Sequence, residues 1–519
     1  MKNLIDLTGL DIGIIIIYVV ILLGVAAWAS FKGRKKDGNL FLANKSLGWF
    51  AIGLTMWGTN VGPSMLIANA SSGFESGIVA GNFSWYAFPF ICLLAFVFAP
   101  RYLGAKVMTL PEYMGKRFGD NTRKYIAWYT IITILISWLG LTLFSGGVFM
   151  AQILDMPLYM CIVILVLVSA AFTMAGGLKA IAYTNVFQML LLIGVSVLLA
   201  VMAVNKIGGI ETIVNETPSN YWNLFQPLSD PDFPWLAILI GYPIMGVWFW
   251  CTDQSMVQSV IGAKNLKQGQ LGANFCAWLK LIDIPLFVLP GILCFILIPG
   301  LTNSTDAYLQ LVKEVFPPGL IGLVVVVMVA ALISTIGSAL NSLSTVFTMD
   351  IYVKNFKPDC TNKEITRIGR VVVLIGAVFA VLLAISITFI QGLSFFNIFQ
   401  SVLSFIAPPM SVAFLFAVFW KKTSTKAINI LLTLGTVFSL GVGIAYYCGL
   451  IFEGLHFLYI SFFIFVVLAI FVSIFSLADK SATSSSLEYK PIKINKGVKI
   501  AWSLLVVVMV GLYVFFNNN

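Results

Sequence analysis

Residues 57–73 read WGTNVGPSMLIANASSG, and residues 240–254 read IGYPIMGVWFWCTDQ. Both stretches sit inside long apolar runs, near 47–72 and 235–259. Both runs are interrupted, by Gly58, Asn60, Gly62 and Pro63 in the first and by Gly241, Pro243 and Gly246 in the second. Proline removes a helix hydrogen bond, and its ring clashes with the preceding turn. The carbonyls so freed need a partner at membrane depth, and a bound cation can be one. A single interruption also fits a plain proline kink satisfied by neighbouring helices, because Gly and Pro are common in membrane helices. The pairing of two breaks carries more weight.

The surrounding chain sets the solvent. Of 519 residues, 60% are hydrophobic and 10% charged, against about 45–50% and about 25% in soluble domains. No soluble fold of this size hides that much apolar surface. The expected class is an all-α integral membrane protein of about 14 transmembrane helices, near 9–29, 47–72, 78–100, 125–153, 156–175, 182–205, 235–259, 270–299, 319–349, 368–390, 395–419, 426–449, 457–478 and 498–516. A spanning helix needs about 20 apolar residues, whereas barrel strands alternate over about 10, and these runs do not alternate.

Placing the N-terminus outside leaves only Lys2, Lys206 and Lys313 in outside loops and Lys280 within a span; the rest of the 31 Lys and Arg fall inside. That is the positive-inside bias, so the net charge of +10 is a topology signal and implies no nucleic-acid partner. Spans 2–6 and 7–11 then form two groups of five. Each opens on a broken helix, one starting inside and the other outside. This is the pattern of an inverted repeat with its binding site at the breaks. The expected organisation is an N-terminal helix and basic loop (1–46), a first repeat (47–205), an extracellular loop (206–234), a second repeat (235–420) and three C-terminal helices (421–519) with a cytoplasmic linker at 479–497. The expected location is the plasma membrane, or a bacterial inner membrane, with both termini outside.

Several chemistries are disfavoured. His456 is the only histidine, which argues against a zinc-hydrolase cluster or a histidine triad. The seven cysteines are scattered singly, and no phosphate-binding GxxxxGK[ST] stretch occurs. No obligate protein partner is evident. A channel would need a continuous polar pore or a charge ring, a sensor an attached signalling domain, and an enzyme a carboxylate or histidine cluster.

Span 9 carries Ser334, Thr335, Ser338, Asn341 and Ser342 at helical spacing. Such a face serves interhelical packing or forms an oxygen cage for a hard cation. Hydroxyl and carbonyl oxygens suit Na⁺, whereas Ca²⁺ normally takes several carboxylates. Asp253, Lys280 and Asp283 fall within spans, where each charge costs at least about 2.5–3.5 kcal/mol. Lys280 and Asp283 are one turn apart and can pair; alternatively Lys280 meets a polar solute. Aromatics crowd the breaks, among them Trp57, Phe83, Trp85, Trp248, Phe249, Trp250 and Phe396.

At these residues the chain resembles the sodium/solute symporter family, and within it the sodium/sugar branch. The matching stretches are WGTNVGPSMLIANASSGFESGIVAGNFSW (57–85), MAGGLKAIAYTNVFQ (174–188), WFWCTDQSMVQSVIGAKN (248–265), WLKLIDIPLFVLPGI (278–292), ALISTIGSALNSLSTVFTMDIY (331–352) and FWKKTSTKA (419–427). The resemblance implies the inverted five-helix-repeat fold and Na⁺-coupled import of a small polar solute, a monosaccharide or polyol, by alternating access. It implies a sodium site of the Gly58, Val61 and Ala331 carbonyls with the Ser334 and Thr335 hydroxyls. It maps the solute site onto Asn60, Met65, Ser84, Lys280 and Gln400, with Phe83 and Phe396 as an outer cover and Phe249 as the inner gate.

Three positions depart from the family pattern. Met65 replaces a glutamine or histidine, Ser84 a glutamate, and Asn185 an aspartate that supports a second sodium in some members. The expectation is therefore one Na⁺ per cycle and a solute not fixed as glucose or galactose. The alternative solutes are an amino acid, a vitamin-like acid or a monocarboxylate.

Overall fold

A computed structural model describes residues 8–33, 45–154, 156–387, 395–479 and 494–517. Among them the chain is helical, with only two isolated β-bridges. The principal helices are α1 (Gly9–Gly33), α2 (Trp49–Asn60), α3 (Pro63–Ser76), α4 (Asp120–Leu154), α5 (Leu158–Ile207), α6 (Trp235–Val247), α7 (Gln254–Ile261), α8 (Leu266–Leu281), α9 (Ile284–Leu297), α10 (Leu320–Val346), α11 (Asn362–Ile387), α12 (Phe395–Phe419), α13 (Thr425–Tyr447), α14 (Phe457–Ala478) and α15 (Lys496–Phe515).

Eleven helices among the described residues are long and apolar enough to cross a bilayer, or twelve if α8 and α9, bent by 42° at their junction, make one span. The expected fourteen are not all found. The broken span divides into helices of 12 and 14 residues, each below the roughly 20 that a crossing requires. The apolar part described for α1 covers only Gly9–Tyr18. Most of the 479–497 linker and the basic run 34–36 lie outside the described residues.

The 50-residue α5 is helical throughout, yet it contains two apolar spans, Leu158–Ala175 and Ile181–Ile207. It cannot be straight. Thr173 donates to Gly337 O at 3.4 Å, and Ser334 donates to Asn185 Oδ1 at 2.5 Å. Twelve residues of straight helix advance about 18 Å, whereas residues 334 and 337 are separated by about 4.5 Å. The helix axis therefore bends between 173 and 185, a stretch that contains the Gly176–Gly177 pair.

Burial sorts the helices into centre and rim. The apolar window of α10 is 83% buried and that of α15 only 22%. On α11, Leu374, Val378 and Leu382 recur every four residues and are all exposed, giving a stripe one helix face wide. Ser334, Thr335, Ser338 and Asn341 are buried on α10. Apolar outside and polar inside is the arrangement that a lipid solvent selects.

The loops gather at two ends. At one, Arg123 pairs with Asp350 at 2.7 Å, and Arg117 donates to the carbonyls of Trp420 and Lys421. At the other, Lys206 pairs with Glu314 at 2.8 Å, and Asp11 accepts from the Gly319 and Gly322 amides.

The second interruption is not where the Gly/Pro pattern puts it. Helix α6 runs through Pro243, widens into a π-turn over Trp248–Thr252 and stops at Asp253, whose φ is −83° and ψ 128°. Proline deprives the carbonyl four residues earlier of its donor. That carbonyl belongs to Leu239, and Tyr86 Oη supplies the missing bond at 3.2 Å. The two glycines serve close packing instead. A Cβ on Gly241 would lie 2.4 Å from Leu458 O, and one on Gly246 2.4 Å from the Phe90 ring.

Candidate functional site

The first break is short and fully formed. Val61 N donates to Trp57 O at 2.9 Å, and the next backbone bond is Leu66 N to Gly62 O at 3.0 Å. Val61 and Gly62 are extended, with ψ of 107° and 169°, and Pro63 begins α3. The carbonyls of Gly58 to Val61 fall between those two bonds, and Pro63 has no N–H to offer Thr59. Helix α10 passes alongside. A Cβ on Gly62 would stand 3.6 Å from Thr335 Oγ1. That hydroxyl is buried with no hydrogen-bond partner among the described residues. A buried polar atom left unmatched costs about 1–3 kcal/mol. A hydroxyl beside freed carbonyls makes an all-oxygen donor set, which suits a hard monovalent cation.

Three other members of the α10 face bond to neighbouring helices. Ser334 donates to Asn185 of α5. Thr59 of α2 donates to Ser338 Oγ at 3.2 Å. Gln258 of α7 donates to Ser338 O at 3.3 Å and accepts from Asn341 Nδ2 at 2.9 Å. This face thus joins both interrupted helices through one rigid element. Ala331 is buried one turn before Thr335. Gly58 packs on α5, where a Cβ would come within 2.8 Å of Met189.

Beside the break lies a cavity that collects all five residues expected at the solute, namely Asn60, Met65, Ser84, Lys280 and Gln400, with both Phe83 and Phe249 and with Thr335. The side chain of Phe396, at the start of α12, lies outside the described residues. Lys280 Nζ donates to Asp283 Oδ2 at 2.6 Å and to Asn60 Oδ1. Asp283 Oδ1 accepts from Trp57 Nε1 at 2.8 Å, and the ammonium stands 5.5 Å over the Trp250 ring. The ion pair is buried, and it ties two residues one turn apart on α2 to the α8–α9 bend. Lys280 is therefore paired, and it also lines the cavity.

Phe249 leans on Trp138 at 5.3 Å and on Trp250 at 5.1 Å. Trp138 Nε1 donates to Asp253 Oδ2 at 3.1 Å. Asp253 Oδ1 meanwhile caps α7 through the amides of Ser255 and Met256. The second break is thereby joined to the cavity wall. Phe83 packs against Tyr242 at 5.5 Å and Phe233 at 6.3 Å, and Tyr242 Oη donates to Phe83 O at 2.7 Å.

Asn69, Trp138, Thr142 and Tyr242 also line the cavity, and the sequence reading missed them. Asn69 follows Met65 by one helical turn, so spacing was a usable signal for it. Trp138 lies in the widened turn Ile134–Leu141, which no periodicity announces.

Known proteins resemble the chain in both sequence and fold. The chain is 33% identical to a sodium/glucose cotransporter 1 from Ovis aries, over 91% of this chain and 79% of that protein. It is 32% identical to a sodium/myo-inositol cotransporter 2 from Bos taurus, over 83% and 69%. A Na⁺-coupled sialic acid symporter, solved in a substrate-bound outward-open state, shares the fold at a TM-score of 0.79 with 20% identity, covering 92% of this chain and all of that one. The model of the sodium:solute symporter family matches residues 40–435, and the chain belongs to that family.

Proposed function

We propose that this chain imports a neutral monosaccharide or polyol together with Na⁺, by alternating access around the cavity beside the first break. The observation that carries the solute class is the Lys280–Asp283 pair. Its two charges cancel at 2.6 Å, so the cavity offers hydrogen bonds and aromatic faces without an unbalanced charge. A carboxylate solute would have to compete with Asp283 for the ammonium, which weighs against the amino-acid and acid alternatives. The glucose and myo-inositol relatives support the same class.

In this reading the Gly58, Val61 and Ala331 carbonyls and the Ser334 and Thr335 hydroxyls hold sodium. Asn60, Met65, Ser84, Lys280 and Gln400 hold the solute, Phe83 and Phe396 cover it, and Phe249 gates the inner side. The repeats are 47–205 and 235–420. The basic loops face the cytoplasm and the membrane is the plasma membrane. One charge crossing 100 mV supplies about 2.3 kcal/mol, and a tenfold Na⁺ gradient adds about 1.4 kcal/mol. Together they sustain roughly several-hundredfold accumulation. With Asn185 in place of an acid, one Na⁺ accompanies each solute.

Uptake into proteoliposomes tests this. An inward Na⁺ gradient should drive accumulation of a sugar or polyol from a mixed panel, and choline should not replace Na⁺. Undiminished accumulation in choline overturns sodium coupling. Preferential uptake of a carboxylate overturns the neutral solute, and a Na⁺-to-solute ratio of two overturns the stoichiometry.

A further inference from the structure

Helix α3 leads away from the first break along the wall of the main cavity. Met65, Ala68 and Asn69 of this helix all line that cavity, and their spacing puts them on one helix face. Methionine sulfur is only a weak acceptor, and alanine has no polar group. Asn69 is therefore the polar side chain that this face turns toward the cavity. It lies one turn, about 6 Å, beyond Met65 and about 9 Å beyond Pro63. That direction leads to the loops, where Ser71 Oγ donates to Ser304 Oγ at 2.8 Å and Tyr221 Oη donates to Phe74 O at 2.7 Å. Phe83, the expected outer cover, packs on Phe233 of the same loop as Tyr221.

Asn69 is only 4% exposed, yet its amide has no hydrogen-bond partner among the described residues. The polar groups nearer the break differ, because Lys280 is committed to Asp283 and to Asn60 Oδ1. An unpaired, largely desolvated amide costs about 1–3 kcal/mol. Asparagine offers both donors and an acceptor, and the cavity is the side from which a partner can come. A hydroxyl both donates and accepts, so it meets such an amide on both counts, whereas a carboxylate only accepts.

Resting on the neutral solute proposed above, we propose that Asn69 hydrogen-bonds a hydroxyl at the end of the solute that faces Phe83. Lys280 and Asn60 meet the opposite end. Asn69 thereby fixes the solute's orientation and sets which pattern of hydroxyls is carried, since a site built to bond a hydroxyl rejects the analogue that lacks it.

The test measures Na⁺-driven uptake of D-glucose, D-galactose and myo-inositol, with the monodeoxy analogues of each, into proteoliposomes bearing the full-length wild type, Asn69→Leu or Asn69→Ala. Leucine keeps the volume, and both variants remove the amide. For the parent that the wild type takes up best, loss of one particular hydroxyl should raise the wild-type KM roughly two- to tenfold, the worth of a neutral hydrogen bond. N69L and N69A should raise the parent's KM by a similar factor and treat the parent and that analogue alike, while still rejecting losses at other positions. An equal loss across the parent and all its analogues would mean that the side chain serves only the fold, and it overturns the assignment. Discrimination unchanged from wild type, or a wild type indifferent to every deoxygenation, overturns it too. If N69L does not fold, N69A decides on the same criteria. A wild type that accumulates none of these sugars and polyols in a Na⁺ gradient refutes the neutral-solute reading itself, and the role of Asn69 falls with it.

Discussion

Ser334 gives its hydroxyl proton to Asn185 Oδ1 at 2.5 Å, so both lone pairs on Ser334 Oγ remain available to other neighbours. Its chain neighbour Thr335 brings an unmatched hydroxyl to Gly62 at the first break. Asn185 thus acts on the proposed sodium site through Ser334, as a positioning residue.

The sodium dependence of uptake should separate these roles. Losing an interaction with a charged group costs about 1.5–3 kcal/mol, or roughly ten- to a hundredfold in apparent Na⁺ affinity. The Ser334→Ala, Thr335→Ala double variant should suffer at least that. Asn185→Ala removes one neutral hydrogen bond and should cost only roughly two- to tenfold. A double variant with full sodium dependence would falsify the site.

The Lys280–Asp283 pair is predicted to reveal itself through asymmetry. Breaking a buried ion pair from one side costs about 3–5 kcal/mol, because the remaining charge is stranded, whereas apolar replacement of both partners costs far less. Asp283→Asn and Lys280→Met should each lower the thermal unfolding midpoint. The Lys280→Met, Asp283→Leu double variant should recover much of that loss while transport stays abolished. Single variants as stable as the double would mean that the charges do not depend on each other.

How far the sequence could be read depended on whether a feature is local. Gly62 and Pro63 determine the first break by themselves, and it lies where they stand. The second pattern, Gly241, Pro243 and Gly246, looked equivalent, but Tyr86 repairs the bond that Pro243 removes, and Tyr86 is 157 residues distant. The true stop, Asp253, carries an ordinary helix-capping signal that was read instead as a charge within a span. The polar face of α10 followed from helical spacing. Its partners did not, because Asn185, Thr59 and Gln258 come from three other helices. Lys280 and Asn60 stand out by themselves as polar groups within apolar spans, the rest of the expected solute set came through family resemblance, and the cavity collects all five.

Tyr86→Phe tests the repair at Pro243. The substitution keeps the ring, which stacks on Tyr242 at 5.5 Å, and removes only the hydroxyl. The Leu239 carbonyl then loses its side-chain donor, at a cost of about 1–3 kcal/mol. A bent α6 would move Tyr242 and Phe249 in the cavity wall. The expected outcome is faster amide exchange near Pro243 and weaker solute affinity, with sodium affinity much less affected. Exchange indistinguishable from wild type would show that the hydroxyl is dispensable to the helix.

His456 links stability to pH at the start of α14. Its Nδ1 accepts from Leu458 N at 3.3 Å, and its Nε2 lies 3.1 Å from Asp232 O. Both bonds are made by a neutral ring with its proton on Nε2. Burial lowers its pKa to about 4, against the opposing pull of the Asp232 carbonyl and the Asp230 carboxylate. The folded value lies below the unfolded value of about 6.5, so the unfolded chain takes up the proton first on acidification. The stability contributed by the neutral ring is complete above about pH 6.5 and drains away as pH falls toward 4. The Asp232 carboxyl, itself pushed up by burial and by Asp230 and Glu75, titrates in wild type and variant alike. Comparison with His456→Asn therefore isolates the ring, because asparagine can still cap the helix. The wild-type midpoint should fall relative to the variant as pH is lowered through that window, and a gap that stays constant with pH would eliminate the imidazole as its source.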